Sequence, residues 1–371
     1  MTRSTVRPLQ RRLATAAAVL SATALVAACS GGDADDSETA ATTGADGEPT
    51  GSIVVSTFPL GVEEFQEAVI DPFTEATGIT VEVETGSNAD RLSQLELAGD
   101  RSGVDVMLIS DSFAAAGQEK DLFQSFGAAE VPNLEAIADF AVEEGFDGPA
   151  YSYQLNGILY NTDEVTAEEA ADWSLFEDAD LSGRLAFPDF SVTAGQLAVS
   201  GVAESYGDGP YDIYTAYEVI GGWAPGILQF YSSSTEVTNL LTQGEIVAAD
   251  SLSGFATTLV ASGEAVAWTA PAEGRYMATN RAMIPAGAPN VQAAQAFIDH
   301  LLSVEAQTAS AEIVGDLPVN LAAEIPTEIT DVVGDIATDP IAAGYSTLDP
   351  AETTPNRAAW LERFAREVTS R

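Results

Sequence analysis

Two hydrophobic rhythms alternate along this chain from about residue 52 onward. Ile53-Val54-Val55-Ser56-Thr57-Phe58 is a run rich in β-branched residues, which predicts a buried strand. Val62, Phe65, Val69 and Phe73 then recur at helical spacing, predicting a helix over 62–77. Asp71-Pro72 suits a cap and first turn inside it, and Gly78 suits its close. Residues 79–83 form a second strand pattern, 88–98 a second helix with Leu92 and Leu95 inward, and 104–109 a third strand before a helix from Ser112. Later strand patterns fall at 157–160, 185–187, 246–249, 265–268 and 282–284. Helices lie between them, including 293–302, and a last one at 356–368 carries Trp360 and Phe364. No internal repeat is present. Strands alternating with helices predict an α/β fold in which a mostly parallel sheet is covered on both faces.

Ahead of this body the pattern changes. Arg3, Arg7, Arg11 and Arg12 precede an Ala-rich apolar run at 13–28, which is short for a membrane span and suits the core of an export signal. The run ends Val26-Ala27-Ala28-Cys29, which resembles the lipobox of bacterial lipoproteins. The resemblance implies a lipid on Cys29, the only cysteine, and a mature chain of 371 − 28 = 343 residues. Residues 30–51 contain no large apolar side chain and read as a flexible tether. The expected location is the extracellular face of the cell membrane. Intrachain disulfides are excluded.

Charge narrows the partners. Fifty-seven acidic residues face 14 basic ones, and the formal charge is −43. The acids are spread along the chain, and Lys120 is the only lysine. Such a polyanion has no electrostatic affinity for nucleic acid or an anionic membrane surface. Dispersed acids with almost no lysine read as adaptation to salt, so net charge says little about a ligand.

Several segments together resemble the extracellular solute-binding proteins of ABC importers, in the group that includes spermidine/putrescine and iron binders. They are Ile70-Asp71-Pro72-Phe73-Thr74-Glu75-Ala76-Thr77-Gly78-Ile79, Val104-Asp105-Val106 before Ser110, and Tyr151-Ser152-Tyr153 with Asn156-Gly157-Ile158-Leu159-Tyr160-Asn161. Pro271-Ala272-Glu273-Gly274, Met283-Ile284-Pro285-Ala286-Gly287 and Gly315-Asp316-Leu317-Pro318-Val319-Asn320 complete the set over about 52–325. The resemblance implies two α/β lobes, one of 52–155 with 270–325 and one of 156–269 with 326–371, closing by a hinge on a ligand. It implies an ABC permease as partner; a monomer without a cofactor is expected.

Ligands in open α/β sheets bind beyond the carboxyl ends of strands. That rule selects Thr57 and Phe58, Ser87 and Asn88, and Ser110 and Asp111, although Ser, Asn and Asp there also serve as helix caps. Tyr151 and Tyr153 point the same way on one strand and suit an aromatic wall, or else the core. From the second lobe come Asp189 with Ser191 and Asp250 with Ser251, while Glu273 and Tyr276 follow the Pro271–Gly274 turn, where Glu273 also suits a turn or hinge. These carboxylates suit a polyamine. The tryptophan and the acid- and arginine-rich run typical of polyamine binders are missing, and the paired tyrosines common in iron binders are not reproduced. Iron, phosphonate, thiamine or another polar solute therefore stay open, as does a role as ligand sensor for a surface receptor. One histidine, His300, falls within a helix pattern, and no catalytic or metal-ligand motif is present, so the chain reads as a binder and not an enzyme.

Overall fold

A computed structural model describes residues 42–43, 49–143 and 145–370. The signal, Cys29 and most of the expected tether lie outside the described residues. Within the tether stretch, Thr42–Thr43 pairs antiparallel with Pro49–Thr50. Among the described residues, nine strands of four residues or more carry the body: β1 Ser52–Thr57, β2 Thr80–Thr85, β3 Val106–Ser110, β4 Ala150–Asn161, β5 Leu185–Pro188, β6 Ile227–Tyr231, β7 Ala248–Leu252, β8 Val266–Thr269 and β9 Met277–Pro285, with two-residue strands at Phe123–Gln124 and Leu317–Pro318 pairing to β9 and β4. Among the helices that flank them are α1 Asn88–Ala98, α2 Asp111–Gln118, α3 Thr193–Tyr206, α4 Ile213–Trp223, α5 Ser253–Ala261, α6 Val291–Leu301, α7 Val304–Ile313 and α8 Pro350–Phe364.

The predicted elements recur within a few residues, and local chemistry explains their ends. The helical stretch after β1 runs from Val62 to Thr77 through one π-turn at Gln66–Ile70, with Pro72 opening its last part. Gly78 closes it at φ 74°, a left-handed conformation that glycine adopts without a Cβ penalty. His300 falls in the last turn of α6, where its ring bonds the Val69 carbonyl (3.1 Å). The strand at Ile227–Tyr231 was not anticipated, because its short mixed run carries no clear period.

The strands join in the order β2-β1-β3-β9-β4-β7-β5-β6, with β8 paired to β4. At both ends of this order the pairing is parallel: β1 with β2 and β3, and β5 with β7 and β6. In the middle it is antiparallel, because the chain passes between the two halves through β4 and returns through β9. Residues Ala150 to Leu155 of β4 pair with β9, whereas Asn156 to Asn161 pair with β7 and β8. One strand thus belongs to both halves, and the change of partner falls between Leu155 and Asn156. Beside that point Gly157 lies under the Trp268 ring, where a Cβ would stand 2.4 Å from ring carbon.

Two large apolar cores form. One joins Ile53, Val55, Phe73, Ile79, Phe297 and Leu301 and continues past β4 to Val237, Leu241 and Leu259 of the second half, and the other gathers Ile158, Phe187, Tyr217, Trp223 and Phe364 within that half. One carboxyl in the first half is set against burial. Asp316 accepts a hydrogen bond from Ser310 Oγ (3.2 Å), and desolvation raises it to about 6 from an ordinary 3.8. Its folded pKa lies above its unfolded one, so its contribution is present below pH 3.8 and lost as the pH rises through about 6. Asp316→Asn is expected to raise the unfolding free energy at pH 8 by up to about 3 kcal/mol and to change little at pH 4. Urea titrations at the two pH values measure this directly.

Candidate functional site

The carboxyl ends of β1 and β3 and the turn after β2 converge on one arginine. Arg91, from the first turn of α1, is 4% exposed and donates to the carbonyls of Gly86 (2.9 Å), Ser56 (3.1 Å) and Leu108 (2.8 Å). It also donates to Asn88 Oδ1 (3.0 Å) and lies 5.1 Å from the Phe58 ring centroid. Burial lowers it to about 10, so it stays charged at neutral pH while tying the strand ends together. Asn88 donates in turn to Ser110 Oγ (2.9 Å). Of the residues expected here, Thr57 and Ser110 are buried, Phe58 and Asn88 half-buried, and Ser87 is an exposed cap that accepts from the Asp90 N–H (3.1 Å).

Asp111 opens α2 at the end of β3. Its carboxylate accepts from the Thr279 N–H (3.1 Å) and the Ser112 N–H (2.6 Å), and desolvation raises its pKa against the pull of Arg281. Facing it across a cavity of about 20 Å³ is the start of α3. Asp111 and Ser112 line the cavity from one side, Thr193, Gln196 and Leu197 from the other, and Leu348, Pro350 and Thr353 close it. That space holds about one water.

The crossing strand corrects one expectation. Tyr151 and Tyr153 do point the same way, but into the core. Tyr153 stacks edge-on with Phe140 at 5.2 Å and donates to the Ala337 carbonyl (2.6 Å), and Tyr151 is 4% exposed in the same apolar cluster. The opposite face of β4 carries Ser152, Gln154 and Asn156, and the pairing puts Asp250 of β7 on that same face. Asp250 is fully buried and accepts from Asn156 Nδ2 (2.7 Å). Burial pushes its carboxyl well above the usual carboxylate range. Among the described residues, Asp250 Oδ1, Asn156 Oδ1, Gln154 Oε1, Ser112 Oγ and Gln196 Nε2 are buried polar atoms without a hydrogen-bond partner. Next to them, Leu197, Leu252, Tyr276 and Ala278 form a small apolar cluster with Leu348.

Other expected residues take supporting positions. Asp189 accepts from the Ser191 N–H (2.8 Å) in the turn that leads into α3. Ser251 is buried on the reverse face, where its carbonyl accepts from Trp268 Nε1 (3.2 Å). Tyr276 is buried and donates to Glu204 (2.6 Å). Glu273 is exposed in a turn whose carbonyl accepts from Trp173 Nε1 (3.1 Å), so its carboxylate stands apart from the cavity. Gln154, Asn156, Ser112 and Gln196 were not anticipated. The alternation of polar and apolar residues along β4 is the signal that separates the first two from the tyrosines.

An α/β sheet in two halves, bridged by antiparallel crossing strands with a polar cavity where strand ends meet helix starts, is the fold of type II periplasmic binding proteins. The crystal structure of an ABC transporter from Clostridium perfringens ATCC 13124 is 26% identical and superposes with a TM-score of 0.72 over 85% of this chain and 99% of that one. The spermidine/putrescine substrate-binding protein PotD from Streptococcus pneumoniae shares the fold at 20% identity, with a TM-score of 0.69 over 85% and 99%. The putrescine-binding periplasmic protein SpuD of Pseudomonas aeruginosa is 25% identical over 309 residues, 76% of this chain and 78% of the relative. The family model for bacterial extracellular solute-binding proteins matches residues 68–338, and the chain belongs to that family.

Proposed function

We propose that this protein is the substrate-binding subunit of an ABC importer, held on the outer face of the cell membrane by a lipid on Cys29, and that its solute is a linear polyamine of the putrescine or spermidine type. The observation that carries the ligand class is the concentration of buried, unpartnered acceptors on one sheet face. Asp250 Oδ1, Asn156 Oδ1 and Gln154 Oε1 lack donors, which an ammonium group supplies. Beside them the Leu197, Leu252 and Ala278 cluster suits a methylene chain. Two similar proteins are described as binding putrescine or spermidine, which supports the same class.

The hinge of this reading lies in β4 and β9, and the change of pairing partner at Leu155/Asn156 supports lobes of 52–155 with 270–325 and of 156–269 with 326–371. A cavity with room for about one water holds no diamine, so capture requires the two halves to part and close again. The mature chain, expected to be a monomer, is tested in high salt by thermal shift against putrescine, spermidine, ferric citrate, thiamine and 2-aminoethylphosphonate. A solute at 100-fold its Kd is expected to add about 2.7 kcal/mol and raise the midpoint by a few degrees. A shift with another compound and none with either amine would discard the polyamine and keep the binding-protein reading.

A further inference from the structure

The two ends of the proposed solute site differ in charge. At one end, among the described residues, Asp250 has the Asn156 amide as its one hydrogen-bond partner and no arginine or lysine that offsets its burial. Asp250 Oδ1, Asn156 Oδ1 and Gln154 Oε1 are buried acceptors without donors, which a single ammonium with three N–H groups satisfies. Leu252, opposite Asn156 in the sheet, begins an apolar path with Ala278, Leu197 and Leu348. Leu197 and Leu348 also line the small cavity between α2 and α3, so the path ends there.

That second end already holds positive charge. Arg281 acts on the Asp111 carboxyl from within the first half, and Asp111 also accepts from the Thr279 and Ser112 N–H groups. Arg357 stands one turn beyond Thr353 of the cavity wall. Its guanidinium lies 5.0 Å from the ring centroid of Phe113, next to Ser112, and its Nη2 donates to the Ser191 carbonyl (3.1 Å) just ahead of α3. The helix α3 itself starts without a side-chain cap on Val192, which leaves its positive end beside this space. One donor there goes unanswered. Gln196 is 5% exposed, and its Nε2 is buried in the cavity wall without a partner, as is Ser112 Oγ on the opposite side. An amide NH2 only donates, whereas a hydroxyl does either.

Three end groups can be compared in that space. An ammonium offers Asp111 a donor, but it gives Gln196 Nε2 no acceptor and comes up against Arg357 and the start of α3. A carboxylate accepts from Gln196 but faces Asp111 in a site drawn out of water. A secondary amide has one carbonyl, one N–H and no net charge, so it accepts from Gln196 and donates to Asp111 together. We propose that the solute is a mono-N-acylated diamine, with its free ammonium at Asp250 and its acyl amide between Gln196 and Asp111. This rests on the polyamine reading of the cleft and narrows it, since one end of the solute is charged and the other capped. Gln196 then determines specificity, because its NH2 separates an acylated end from a bare one.

The test is titration calorimetry of the mature chain with putrescine, N-acetylputrescine and 4-aminobutyrate, on wild type, Gln196→Leu, Ser112→Ala and Asp250→Asn. Wild type is expected to bind N-acetylputrescine on the order of tenfold more tightly than putrescine, and 4-aminobutyrate more weakly than either. In Gln196→Leu the preference is expected to vanish, with N-acetylputrescine weakened about tenfold and putrescine within about threefold of wild type. Should that variant fail to fold, Ser112→Ala reads the same ratio from the other wall and is expected to reduce it. Asp250→Asn is expected to weaken both amines together, because both place an ammonium there. Putrescine binding as tightly as N-acetylputrescine in wild type, or equal weakening of the two in Gln196→Leu, would overturn the acyl assignment and leave the polyamine reading standing. Binding of 4-aminobutyrate above both amines, or of none of the three, would overturn the polyamine reading and this proposal with it.

Discussion

Arg281→Met is expected to destabilise the protein by about 3–5 kcal/mol, because it removes one partner of a buried charge network. Arg281 is fully buried in β9 and donates to Glu143 (2.7 Å) and to the Gly148 carbonyl (3.2 Å), with the Phe146 ring 3.4 Å from its guanidinium. Burial lowers it to about 10, so at neutral pH it remains a cation. Glu143 and Asp111 both feel that charge, and desolvation already raises their carboxyls against it. Without the arginine the two carboxylates lose the cation they share, although 30% of the Glu143 side chain stays open to water. Methionine keeps much of the packing volume, which separates the charge effect from a cavity effect. The unfolding midpoint is expected to fall by on the order of 10 °C. Adding Glu143→Gln to Arg281→Met should recover part of the loss, since the amide removes an uncompensated charge. Calorimetry on the wild type, both single variants and the double variant closes the cycle. Additive losses in the double variant would show that the pair is not coupled.

How much of this molecule could be read beforehand depended on the range of the signal. The opening strand–helix–strand units were legible because each obeys one period and ends on punctuating residues, as Gly78 does with its positive φ. The crossing strand shows where such reading slips. Tyr151 and Tyr153 drew attention as aromatics, but in a strand the informative fact is which residues share a face. Tyr151, Tyr153, Leu155 and Leu159 are the apolar set and pack in the core, which leaves Ser152, Gln154 and Asn156 for the other side. Asp250 was legible from its place beside a strand pattern, although its complete burial was not. Arg91 and Arg281 carry no local signal at all. Each is fixed in part by groups distant in sequence, the Leu108 and Ser56 carbonyls for Arg91 and the Glu143 carboxylate for Arg281. The same holds for Arg357, whose partners at Phe113 and Ser191 become neighbours only once both halves are folded.

Asp250→Asn is expected to weaken putrescine binding by about 2–5 kcal/mol, or roughly 30- to 4,000-fold in Kd, while leaving the empty protein folded. The Asp250 carboxyl has one hydrogen-bond partner, the Asn156 amide, and lies fully out of water. In that setting it holds its proton to a higher pH than an ordinary aspartate. An arriving ammonium reverses the balance, because the cation favours the carboxylate and the proton leaves as the pair forms. Below the pKa of the empty site, each unit of pH therefore adds up to one unit to the logarithm of the association constant. Above it the affinity becomes flat. The empty protein has the opposite slope, since a raised carboxyl contributes stability at low pH and loses it as the pH rises through its folded value. Putrescine should accordingly produce a thermal shift that grows with pH until the empty site has ionised, and the asparagine variant should show a smaller shift without that pH dependence. Titration calorimetry in two buffers of different ionisation enthalpy would detect the released proton. Binding that stays tight in Asp250→Asn, with no pH dependence in wild type, would remove Asp250 from the ammonium site and leave Asp111 as the carboxylate to test at that cavity.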